Sequence, residues 1–282
     1  MSKPHAARLR DGRLHLQHGP IDLVIEAFGI LHEVEAAYAQ AFARFRDILP
    51  TLVRELPTLR QPAGAAHPLL RGPVARRMAR AVWPHRAVYI TPMAAVAGSV
   101  ADEILAAMRA GRTLDKAYVN NGGDIAFHLA PGQELRAGIF VDALDGMARL
   151  IHDRPVRGIA TSGWGGRSFS RGIADAVTVL AKDAASADAA ATVVANAVDV
   201  DHHLIVRHPA RMLDPDSDLG DLQVTTAVGA LPQDVVELAL DRGAAEARRL
   251  QQLGLIEAAA LSLKGTWLIE GTGALARQAE AG

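Results

Sequence analysis

The stretch Asn120-Asn121-Gly122-Gly123-Asp124 interrupts two apolar runs and demands a chain reversal between them. The runs are expected as strands over 117–119 and 125–129. Glycines allow φ > 0 and let a ligand come close to the backbone. Asn-Gly is also a strong hairpin signal. Two readings of the amides and the carboxylate therefore stay open, a polar hairpin tip or a ligand-binding turn. Either way the two strands run antiparallel, which favours an α+β architecture over a doubly wound parallel sheet.

The rest of the chain agrees with that class. Alternation over 7–28 predicts a hairpin about Asp11-Gly12 followed by a more apolar strand. Helical spacing of Leu31, Val34, Ala37, Tyr38, Phe42, Phe45 and Ile48 predicts a helix. Pro50 is expected to end it, with a short second helix over 51–56. A basic helix is expected over 73–82, a strand over 86–91 and a helix rich in small residues over 93–108. Strands are expected over 135–141, 156–161, 174–181, 204–206 and 222–228. Helices are expected over 188–197 and 232–253. A closing hairpin turns about Lys264-Gly265, between 258–263 and 266–270. No linker-like segment or fixed repeat divides the sequence, so 1–282 is expected to form a single domain.

Half of the 282 residues are hydrophobic, and the net charge is −1 at pH 7. That supports a sizeable core and gives no reason to expect a nucleic-acid partner. The densest basic cluster, Arg71 to Arg80, is expected as a solvated helix face. The absence of cysteine excludes disulfides, thiolate metal sites and a cysteine nucleophile. No apolar run approaches the ~18 residues of a membrane-spanning helix. Residues 1–19 lack the apolar segment of a secretory signal, so a cytoplasmic location away from membranes is expected.

Asp188 and Thr192 stand four residues apart, with only alanines between them. On a helix that spacing puts a carboxylate and a hydroxyl on one face. Such a face can hold a hard cation through oxygen ligands, with phosphate oxygens and waters completing the shell. The plainer alternative is an acidic residue favoured by the helix dipole. Asp102-Glu103 forms a second acidic pair, of which Asp102 is the better candidate for a pocket. Ser162-Gly163-Trp164-Gly165-Gly166 ends a strand with donors and glycines, a pattern able to nest an anion. It has neither P-loop nor dinucleotide-fold spacing. His202 and His203 are adjacent, so a strand would point them apart and a shared zinc is not expected.

Three segments in order, 93–102, 119–125 and 187–192, resemble the ApbE-like superfamily. Its best-known members are flavin transferases that use FAD and magnesium to attach FMN to a protein Ser or Thr. The likeness is strongest over about 85–200 and is nearest to the superfamily's uncharacterised cytoplasmic branch. It implies a single-domain α+β, T-fold-like architecture with antiparallel or mixed sheets and packed helices. Asn121, Gly122, Gly123 and Asp124 match the glycine motif beside the flavin nucleotide. Ser162 and Gly163 match a Ser-Gly that follows a strand there. Asp188 and Thr192 match the Mg2+ ligands, and Asp102 and Asp124 are the candidates for a catalytic base. The expected ligand is FAD, and the expected reaction is FMN transfer. The transferases carry a lysine where Gly98 and Ser99 stand, and a His-x-x-Asp-Pro segment where 168–174 has no histidine. Two alternatives follow from these departures. One is the same scaffold acting on an unrelated small metabolite. The other is a non-catalytic, ligand-binding homo-oligomer assembled through alanine-rich helices and edge strands.

Overall fold

A computed structural model describes residues 3–140, 144–271 and 273–277. The chain divides into two compact units. The first takes in the described parts of Met1–Leu135, Ile151–Ala160 and Ala181–Ala189. The second takes in those of Arg136–Leu150, Thr161–Leu180 and Ala190–Gly282.

In the first unit, strands His5–Arg8, Leu14–His18, Ile21–Phe28, Lys116–Asn121 and Asp124–Leu129 lie side by side in that order, all antiparallel. Gly158 and Ile159 extend the sheet by pairing with Ala126 and Ile125. Period-two alternation buries Leu16, Leu23, Ile25 and Val119 on one face. Helices Leu31–Leu59, Pro73–Val82 and Val96–Arg109 supply the other half of that core through Phe45, Ile48, Met78, Ile104 and Met108. Each large side chain buried here contributes roughly 1.5–3 kcal/mol of transfer free energy.

In the second unit, strands Ala176–Ala181, Ala258–Leu263 and Thr266–Glu270 form antiparallel neighbours, and helix Gln233–Gln252 packs on them. Ile205–Pro209 pairs with Gln223–Val228, and Leu275–Arg277 pairs with Leu144–Ile151. The closing hairpin forms as its sequence dictates. Lys264 at φ 49° and Gly265 at φ 77° make a turn with both central residues left-handed. The architecture is α+β with antiparallel sheets. Among the described residues no helix is long and apolar enough to cross a membrane.

Several sequence expectations are corrected. Pro50 does not end the first helix, which runs unbroken over Leu31–Leu59 with Pro50 and Pro57 inside it. The buried stripe of Phe45, Ile48, Leu52 and Leu59 continues across the proline, and that packing outweighs one lost N–H bond. The strand expected over 86–91 is a pair of turns instead. There the N–H groups of Arg86 and Val88 bond back to the Trp83 and His85 carbonyls. The Glu134–Phe140 strand begins one residue early; Val141, included in the expectation, lies outside the described residues. The strand Leu144–Ile151 was not foreseen. The helix expected from residue 188 starts a full turn earlier, at Ala184.

Candidate active site

The earlier start of helix Ala184–Ala197 explains how the acidic residues come together. Asp183 stands just before it and accepts a bond from the Ser186 N–H at 2.7 Å, in the manner of an N-cap. The N–H groups of Ala184 and Ala185 go to another carboxylate. Asp102 Oδ1 accepts from Ala184 at 3.1 Å, and Asp102 Oδ2 accepts from Ala185 at 2.9 Å. Asp188, one turn into the same helix, returns the interaction. Its Oδ2 accepts from the Gly98 N–H at 2.9 Å, at the start of helix Val96–Arg109. Each helix thus caps the other: Gly98 and Asp102 on one face Ala184 and Asp188 on its partner, both pairs at i, i+4 spacing. The contact is too close for a side chain at residue 98. A Cβ there would lie 2.2 Å from the Ala184 carbonyl oxygen. Gly158 is equally constrained, because its Cβ would lie 2.1 Å from the Asp183 carbonyl carbon.

Crowded acids raise one another's affinity for protons. Burial pushes Asp102 up to about 7, helped by the charge of Asp183. The Ala184 and Ala185 N–H groups and Arg77 pull it the other way. Asp188 lies well above the ordinary carboxylate range, first through desolvation and then through Asp124 and Asp102. N–H donors from Gly98 and Ala97 oppose that rise without cancelling it. All three carboxylates keep part of their surface exposed. Glu103, next to Asp102, behaves differently. It is held between Arg44 at 2.8 Å and Arg77 at 2.7 Å, and these hydrogen bonds pull its pKa below the ordinary value. The basic helix is therefore not simply a solvated face, since Arg77 anchors it to the small-residue helix.

The Asn-Gly-Gly-Asp segment closes a two-residue hairpin in which Asn121 pairs with Asp124. Gly122 and Gly123 have φ of 66° and 112°, a conformation that explains both glycines. The Gly123 N–H donates to Asn120 Oδ1 at 2.8 Å. A Cβ on Gly123 would meet nothing within 4 Å, so the backbone there is open to an approaching group. Asn121 is buried and points inward. Its Nδ2 donates to the Ala97 carbonyl at 3.1 Å and ties the hairpin to the start of the small-residue helix. Asp102, Asn121, Gly122, Gly123, Asp124 and Asp188 therefore all belong to one neighbourhood of the first unit.

The remaining site residues fall in the second unit. Thr192 is a helical turn beyond Asp188, past the point where the chain is assigned to that unit. Ser162 ends strand Gly158–Ser162, and Gly163 follows it. Gly163 is required by packing, since its Cβ would lie 2.2 Å from the Asp175 carbonyl oxygen. Asp175 organises this turn. Its carboxylate accepts from Trp164 Nε1 at 3.0 Å and from the Lys264 N–H. The Trp164 ring is thereby anchored to Asp175.

Sequence reasoning missed Asp183, Gly158 and Asp175. Asp183 had a legible signal, an Asp immediately before an alanine-rich run. Gly158 and Asp175 had none, because their partners are distant in sequence.

A family profile described as AbpE bacteria matches residues 6–269. The chain belongs to that family. It is thus a member of the ApbE-like superfamily. Archaeal UPF0280 proteins are similar over shorter stretches. The one from Methanothrix thermoacetophila is 38% identical over 157 residues, 53% of this chain and 62% of its own length. The one from Methanosphaerula palustris is 44% identical over 115 residues, 39% of this chain and 47% of its own. The matched segments thus span about half the length of these curated relatives. Among solved structures, the Pseudomonas stutzeri flavinyl transferase ApbE aligns at 14% identity with a TM-score of 0.44, covering 97% of this chain and 96% of that one. The ApbE protein of Thermotoga maritima aligns at 15% identity with a TM-score of 0.39, covering 96% and 97%.

Proposed function

We propose that the protein is a Mg2+-assisted enzyme acting on a flavin nucleotide, with FMN transfer from FAD as its reaction. The observation that carries this reading is the carboxylate cluster. Asp188 is held in place by the Gly98 N–H, and Asp124 and Asp102 destabilise its charged form. A cation relieves that repulsion, and hard oxygen donors suit Mg2+. Among the described residues no three His, Cys, Asp or Glu side chains form a ready metal cage. The shell must therefore be completed by substrate oxygens and water, as is usual for Mg2+. Asp188 is assigned as the protein's principal ligand, with Thr192 one turn along the helix as the second. When bound, the ion supplies charge neutralisation at the pyrophosphate and at the departing phosphate.

The other residues divide the remaining tasks. The open backbone of Gly122-Gly123 lies against the nucleotide, and Asn121 fixes that turn to the helix start. Asp102 keeps both helix starts in register through its two backbone bonds, a positioning role. Asp124 is the better base, accepting the proton of the acceptor hydroxyl as its oxygen attacks the FMN phosphorus. The pyrophosphate bond breaks and AMP leaves with the electron pair.

The test is calorimetric titration with FAD, with and without Mg2+, on the wild type and on Asp188→Asn. Metal-dependent binding that disappears in a folded variant supports the reading. Unchanged binding in the variant removes Asp188 from the metal site. Absence of FAD binding in both conditions turns attention to the second reading, an unrelated metabolite in the same site. What favours that second reading is Gly98 itself. Its Cβ position is filled by the Ala184 carbonyl, so no longer side chain can stand where the transferases carry lysine.

A further inference from the structure

At the far end of helix Val96–Arg109 the first unit has a cavity of about 270 Å³. The helix is 14 residues and so about 20 Å long, which separates this cavity from the carboxylate cluster at its start. Arg109, Arg112, Thr113, His128 and His152 line it, together with apolar residues such as Leu129, and among the described residues no acidic side chain does. Arg157 lies close behind. The charge of Arg109 bears on both Arg157 and His128, and that of Arg157 bears on His128 as well.

The positive groups are only partly neutralised. Among the described residues the Arg109 guanidinium makes no hydrogen bond or ion pair, and the residue is exposed. Arg112 meets Glu33 at 3.5 Å, but its buried Nε has no partner. Glu33 is divided, since it also accepts from the Thr113 N–H at 2.9 Å. Arg157 spends its donors on the carbonyls of Arg154, Val156 and His152. Three carbonyls at this helix end already accept hydrogen bonds. Ala107, Arg109 and Ala110 accept from Ala110, Arg112 and Gln40 respectively. His152 Nδ1 is 2.7 Å from the Leu129 carbonyl, which places the proton on that nitrogen and leaves Nε2 for another partner.

We propose that this cavity is a second small-molecule site, which takes the phosphoryl group of a small phosphorylated molecule through Arg109 and Arg112. The two guanidinium groups supply charge-assisted, fork-shaped donors suited to phosphate oxygens. The volume fits a compact ligand and falls short of the ~300 Å³ at which sites for larger ligands begin.

The experiment is calorimetric titration with inorganic phosphate and, separately, with AMP, with EDTA present so that metal-dependent binding at Asp188 is silent. Saturable binding is expected. It should weaken ~10-fold or more in Arg109→Gln and further in Arg109→Glu. Asp188→Asn should leave it unchanged. Among the described residues the Arg109 guanidinium makes no hydrogen bond or ion pair, so both variants should melt like the wild type. In parallel, the ring signals of His128 and His152 should shift in the wild type as ligand is added. A tighter fit for AMP assigns the phosphate to an ester, and a tighter fit for inorganic phosphate assigns it to the free ion. Absence of saturable binding to the wild type overturns the proposal. So does unchanged affinity in Arg109→Glu, or loss of binding in Asp188→Asn.

Discussion

The two ends of helix Val96–Arg109 carry opposite chemistry. At its start Asp188 accepts from the Gly98 N–H, and Asp102 and Asp124 crowd around. At its finish Arg109 and Arg112 line a cavity that, among the described residues, no acidic side chain lines. Both arrangements follow the helix dipole, which favours negative groups at the N-terminus and positive groups at the C-terminus. They differ in how far the protein satisfies them. The acidic end is locked by reciprocal backbone bonds and close-packed glycine, so its geometry is fixed before any ligand arrives. The basic end is held by Glu33 and Gln40, and among the described residues the Arg109 guanidinium makes no hydrogen bond or ion pair. The comparison teaches that charge sign comes cheaply from a helix terminus, whereas rigidity has to be built by a second element.

The largest expected effect is on turnover. Asp188→Asn keeps an acceptor for the Gly98 N–H but removes the charge. Divalent-dependent activity should fall at least ~100-fold, as for loss of a key metal ligand or its support. Far-UV circular dichroism should show the fold retained. Comparable activity in the variant would break the contrast between a working acidic end and the rest of the helix.

Gly98→Ala tests rigidity. With its Cβ 2.2 Å from a backbone oxygen, the two helices must separate, and stability should drop by roughly 2–5 kcal/mol in urea melts. A change below ~1 kcal/mol would mean that the helix starts are not locked.

Asp102 sharpens the electrostatic side. Its folded pKa of about 7 lies above its ordinary 3.8. Between those values the folded protein keeps a proton that the unfolded chain releases, so this group's contribution to stability falls as pH rises from about 4 to about 7. Asp102→Asn should flatten that fall, at the cost of one of the two backbone bonds, about 1 kcal/mol. Urea melts at several pH values across the window would show it. An unaltered slope would remove Asp102 from the electrostatic account. The smallest effect belongs to the other end. Arg109→Gln should change stability by less than ~0.5 kcal/mol, because the residue is exposed and, among the described residues, its guanidinium makes no hydrogen bond or ion pair. A larger loss would mean that the basic end is also structural.

Much of this was legible in the residues alone. Alternation, Asn-Gly and Lys-Gly turn signals and small-residue helices determined an α+β chain with antiparallel hairpins, because hairpins and amphipathic helices are decided locally. The same local logic singled out Asp102, Asp124 and Asp188, since carboxylates beside glycines and alanines are unusual in a core. Pro50 misled for the complementary reason. A local rule stops the helix there, and only the buried stripe on either side carries it through. Tertiary structure alone decided that Asp102 and Asp188 cap each other's helices, residues far apart in sequence that meet because Gly98 lets two backbones touch. It also decided that Arg109, Arg112, His128 and His152 share one cavity. Pairing across the chain depends on packing distance and on which backbone donors remain unsatisfied, and neither quantity is written in any single segment.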